Sequence, residues 1–239
     1  MGHYLTFGTA NSSTFNIYIS GEGVFNAPNR DVELVSVPGK NGQLIIDHNR
    51  FENIQVTYPA FNYESTISSF SNDLSNLRNA FSAQKGYQKL TDTFHTDEFR
   101  LATFVDGFEA DPVMYNTAAR FDLVFNCKPQ RFLTSGETKT TLTSGNAINN
   151  PTLFPSKPLF EVVGSGTLTV GTIAIAISES GTKYIDCDTM ECYAISGGVP
   201  VSKNDKIALT EFPELAPGNT TISWTGLTSV KCTPRWWKL

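Results

Sequence analysis

The sequence predicts a mainly β protein of two sandwich domains, the first with one amphipathic helix, and three observations carry that prediction. Short runs rich in β-branched and aromatic residues recur through both halves, separated by Gly, Pro, Asn and Asp. One stretch alone, "STISSFSNDLSNLRNAFSA" from Ser65 to Ala83, has apolar residues at three- and four-residue steps. A polar stretch from Thr134, rich in Ser, Thr, Gly and Asn and without helical period, divides the chain. The expected domains are therefore residues 1–133 and 151–239, with 134–150 as the connection.

In the first domain, "DVELVSV" and "QLIID" flank the loop Pro38 to Gly42. A loop this rich in glycine invites a phosphate, but a phosphate loop needs its Gly-Lys to open a helix. Here Gly39-Lys40-Asn41-Gly42 runs into a strand. The loop is read as a structural turn: Pro38-Gly39 suits the centre of a type II turn and Asn41-Gly42 a type I′ turn. "NIQVTYPAF" follows as a strand. The helix presents Ile67, Phe70, Leu74, Leu77 and Phe81 behind Ser65 as its cap and docks on its own sheet. "EFRLATFVDGF" and "ARFDLVFNCKPQRFL" complete the domain, with Glu109 and Asp111 as loop charges before Pro112.

Beyond the connection, "LFEVVGSG", "TLTVGTIAIAI", "TKYIDCD", "CYAISGG", "DKIALTEF", "TTISWTGL" and "SVKCTPRWWKL" read as about seven short strands of a second antiparallel sandwich. Trp236 and Trp237 are adjacent, so a strand sends them to opposite faces, one to the core and one to a candidate interface.

A net charge of −5 gives no electrostatic footprint for nucleic acid as a bound ligand. The start lacks the basic and apolar regions of an export signal, and "TIAIAI" is too short to span a bilayer, so no membrane is expected. Cys127, Cys187, Cys192 and Cys232 include no C-x-x-C pair and are read as buried thiols; Cys187 and Cys192 flank a hairpin tip where a disulfide is sterically conceivable. His3, His48 and His95 are far apart and form no ligand motif. Asp186 and Asp188 alternate as carboxylates that share a cation would, but read as a solvated hairpin edge. No catalytic, metal or cofactor site is expected, and the chain is read as a non-enzyme.

"VPGKNGQL", "GYQKLTDTFHTDEFRLATF", "FDLVFNCKPQRFL", "NPTLFPSKPLFEVVGSGTLTV" and "CTPRWWKL", in this order, resemble the siphophage distal tail protein family across nearly the whole chain. Each motif alone is only a turn or strand with a few aromatics; their order carries the resemblance. It implies a hexameric ring at the tail tip of the virion, made in the cytoplasm of a bacterial host. Such a ring joins the tail tube protein to the tail-associated or receptor-binding proteins of the adhesion apparatus and leaves a channel for DNA as passing cargo. It further implies that the first domain builds the ring and that the second is a galectin-like platform. The alternative is a carbohydrate-binding adhesin acting through that second domain. A galectin sugar site needs a polar cluster of His, Asn and Arg beside a Trp, whereas residues 151–239 hold no His and the single Arg235. Trp224 is the one weak sugar-stacking candidate, and the core reading of it is preferred.

Overall fold

The structure is a computed structural model that describes residues 2–21 and 26–239. The chain is mainly β and divides into two units, one running to Arg131 and including Leu239, the other Phe132–Lys238.

The first unit opens with three short strands, β1 (Leu5–Phe7), β2 (Ala10–Asn11) and β3 (Ile17–Ile19). Next come β4 (Arg30–Ser36), β5 (Gln43–Phe51) and β6 (Ile54–Tyr63), then the helix α1 (Ile67–Ser82). β7 (Gln88–Asp92), β8 (Glu98–Thr103), β9 (Asp111–Val113) and β10 (Ala118–Leu133) follow, and the boundary between units falls inside β10. The sheet runs β2-β1-β7-β8-β10-β6-β3, with β9 also on β10. Strict alternation explains its inner face: Ile54, Val56, Tyr58 and Ala60 on β6 are buried, as are Phe121, Leu123, Phe125 and Cys127 on the antiparallel β10. Glu109 precedes β9, but Asp111 begins it, so of the two expected loop charges only Glu109 lies in the loop. Pro112 is tolerated because β9 pairs only over three residues of β10.

α1 covers the inner face. Its cap is Thr66, whose hydroxyl accepts the Ser69 amide at 3.1 Å, not Ser65 as the sequence indicates. Phe70, Leu77 and Phe81 are buried, Leu74 is half-buried and Ile67 is exposed. At about 100° per residue the three buried side chains lie within about 40° of one another, and Leu74 and Ile67 about 20° and 40° further round. The expected five-residue stripe therefore narrows at its edge. Phe81 sits 5.5 Å from Phe7, 5.4 Å from Phe104 and 5.9 Å from Phe125, ring centre to ring centre.

The second unit contains β11 (Thr140–Thr141), β12 (Asn146–Asn150), β13 (Leu159–Val170), β14 (Ile173–Ile177) and β15 (Thr182–Asp186). β16 (Glu191–Ser196), β17 (Val199–Ser202), β18 (Ile207–Ala208), β19 (Gly218–Thr233) and β20 (Trp237–Lys238) complete it. Its sheet runs β11-β19-β13-β15-β16-β17, with β12 on β19 and β14 between β13 and β18. Residues 134–150 are not a free connection: β11 and β12 pair with β19, and Leu142 and Ile148 pack on this unit's core. Their polar composition reflects largely exposed strands that need few apolar contacts.

The glycines that divide "LFEVVGSG" from "TLTV" and "TTISWTGL" from "SVKC" are bulges inside two long strands, since the β13–β19 register shifts around Gly164. A Cβ on Gly166 would lie 2.0 Å from the Thr225 carbonyl oxygen, so this crossing requires glycine. The core gathers Phe160, Leu168, Ile175, Ile185 and Val230 with Cys187, Cys192 and Cys232. All four cysteines are buried and unlinked, and burial pushes the Cys187 thiol up to about 12.

Candidate interaction surfaces

β4 and β5 form a ladder of their own, outside the sandwich sheet where the sequence places them. At the base of this arm, Arg30 Nη1 donates to Asp47 at 2.6 Å. Asp31 contacts His48 Nδ1 at 2.9 Å and accepts Arg50 Nε at 2.5 Å. Those bonds, His48 first and then Arg50, hold the Asp31 carboxyl below the usual carboxylate range. Toward the tip the arm becomes apolar. Leu34 opposes Ile45, Val35 opposes Leu44 and Glu33 opposes Ile46. Alternation places Leu34 and Ile45 on one face and Val35, Leu44 and Ile46 on the other. Leu34 is 53% exposed, Leu44 51%, Ile45 63% and Ile46 42%. Among the described residues these apolar side chains are left largely exposed on both faces, as at surfaces that associate with other molecules.

The tip turn begins as expected: Lys40 N–H donates to the Val37 carbonyl at 3.2 Å and Gly39 has φ +77°, the geometry of a type II turn on Pro38-Gly39. The type I′ turn does not form. Gly42 has φ +83°, but Asn41 is not left-handed as that turn demands, because the Pro-Gly turn has already reversed the chain and the ladder closes at Ser36–Gln43.

The tryptophans lie in the second unit. Trp236 is in the core. Trp237 stacks on Phe154 at 4.5 Å and donates from Nε1 to the Pro155 carbonyl at 2.9 Å, which engages the polar edge that an interface would use. Trp224, opposite Leu168, is half-buried and packs on the core. Arg235 donates to both oxygens of Asp186 at 2.7 and 2.8 Å. Asp186 also accepts the Asp188 amide at 3.0 Å, so it is no solvated edge residue and shares nothing with the Asp188 carboxylate. Burial opposes its charge, but the Arg235 bonds and charge with the Asp188 and Thr189 amides outweigh that and hold its pKa below the ordinary value. The Asp186–Arg235 pair spans 49 residues of sequence, beyond any local motif.

The histidines remain apart: His3 stacks on Phe94 at 4.0 Å, His48 meets Asp31 and His95 meets Asp92. Among the described residues no three His, Cys, Asp or Glu side chains come together as metal ligands. The arm's separation from the sheet is what the sequence reading missed, although a signal exists. Leu44-Ile45-Ile46 is continuous where a strand covered on one face alternates, and such a run demands cover on both faces.

No family model and no curated protein matches the chain. Solved structures do. The Dit protein of phage SPP1, described as a paradigm of the hub adsorption apparatus in Gram-positive infecting phages, superposes with a TM-score of 0.77 over 97% of this chain and 98% of that one, at 11% identity. The baseplate of phage P2 in its activated, calcium-containing conformation matches with a TM-score of 0.57 over 97% of each chain, at 7% identity. From end to end, the chain has the fold of a phage Dit hub protein.

Proposed function

We propose that this chain is a structural hub protein of a siphophage tail tip, assembling head-to-tail into a closed ring of six copies. The first unit builds the ring; the second is a platform for the adhesion apparatus, and the ring joins that apparatus to the tail tube around a channel for DNA. The arm carries this reading within the shared fold. An extended ladder with apolar residues on both faces is buried by a different surface on the next copy, and such heterologous contacts repeat until they close. Residues 1–150 hold 11 Lys and Arg against 15 Asp and Glu, so passing DNA meets a net acidic segment with little to retain it.

The adhesin reading has less support, because Trp224 packs against the core and is half-buried. Light scattering on the purified protein is expected to give a mass near six times 26.2 kDa. A symmetric dimer as the largest species would contradict the ring.

A further inference from the structure

The inner face of the first unit's sheet is apolar beneath α1, but it ends in a cavity of about 280 Å³ lined by Tyr58, Asp92, His95, Glu98, Arg100 and Arg131. Several of these charges pair with one another. Asp92 accepts the Tyr58 hydroxyl at 2.9 Å and the Phe94 and His95 amides at 2.8 Å each, and His95 Nδ1 lies 3.1 Å from the same carboxylate. Glu98 is paired with Arg131. Arg100 differs. Its guanidinium makes no hydrogen bond among the described residues, and Nη1 is buried without an acceptor. Burial lowers its pKa from the usual arginine value, with the nearby Cys127, Tyr58 and Asp92 pulling the other way.

We propose that this cavity is a binding site for a small carboxylate, seated on the Arg100 guanidinium. Asp92 accepts the Tyr58 hydroxyl and two amides, and Glu98 is paired with Arg131 through Oε1, so neither carboxylate bonds Arg100. What remains is a planar fork of N–H donors, and its geometric complement is a planar anion that accepts two parallel bonds. The cavity holds a group of a few heavy atoms, not a polymer. That carboxylate is either a free small acid or the end of an acidic side chain from another copy; the second source rests on the ring proposed above.

The test measures thermal unfolding of the full chain with succinate or acetate against chloride at matched ionic strength. Succinate is expected to raise Tm by about 2 °C or more as the site saturates. Arg100→Met should abolish that rise, and Arg100→Lys, which keeps the charge without the fork, should weaken it at least several-fold. No rise in the wild-type protein, an equal rise with chloride, or an equal rise in Arg100→Met would each overturn the site. Light scattering separates the sources. Unchanged assembly in Arg100→Met identifies a free acid, whereas a smaller assembly, with succinate dissociating the wild-type one, identifies an acidic side chain of a second copy. Because the unfolding arm needs no ring, it stands or falls apart from the proposed function.

Discussion

The β4–β5 arm and the β6–β10 pair are both antiparallel ladders built from Leu, Ile, Val and Phe, yet they treat those residues in opposite ways. On β10, Leu123 and Phe125 are fully buried, and Phe125 lies against Phe81 of α1 and Phe7 of β1. On the arm, Leu34 and Ile45 face each other and stay more than half exposed, with no other described residue covering them. Strand propensity is alike in the two regions, so the difference lies in whether a covering element is encoded in the same chain. The interior ladder stabilises the fold, and the arm leaves its apolar area exposed, which is the area the proposed ring would bury.

The comparison breaks hardest at Phe125. Phe125→Ala removes a ring that touches Phe7, Tyr58, Phe81 and Phe104, and a loss of about 3–5 kcal/mol is expected in denaturant unfolding. An intermediate effect is expected in the second unit. Arg235→Met leaves Asp186 buried without its partner, at about 3 kcal/mol near neutral pH. The folded pKa of Asp186 lies below its ordinary 3.8, so the pair's contribution is fully present above that pH and is lost as pH falls through the folded value. The variant and the wild-type protein should therefore converge in stability under acid, and a gap that persists there would assign the effect to packing. The smallest stability change is expected on the arm. Leu34→Thr with Ile45→Thr keeps strand propensity and should alter unfolding by less than about 0.5 kcal/mol, while abolishing assembly in light scattering. If that double variant unfolds as readily as Phe125→Ala, the arm is part of the core and the contrast fails.

Much of the architecture was legible because the relevant signals are local. The helix was visible in the spacing of Phe70, Leu77 and Phe81, and the Pro38-Gly39 turn in its backbone sterics. Its cap shifted by one because Ser65 and Thr66 offer the same hydroxyl, and only the point where the chain leaves extended geometry selects between them. Residues 134–150 misled because polar strands largely exposed to solvent have the composition of a connection. The cavity around Arg100 was not legible at all: Tyr58, Asp92, Arg100 and Arg131 come from four strands, and nothing in their spacing brings them together.

By itself, then, the sequence determined the kind of each main element and the inward face of α1, since periods of two and 3.6 act over neighbouring residues. Only the tertiary structure decided that β4 and β5 leave the sheet, that Asp186 meets Arg235, and that Arg100 Nη1 is buried without an acceptor among the described residues. Burial and pairing are properties of residues that meet across tens of positions, so one residue's pattern is the same whether its partner is a helix of its own chain, a second copy or water.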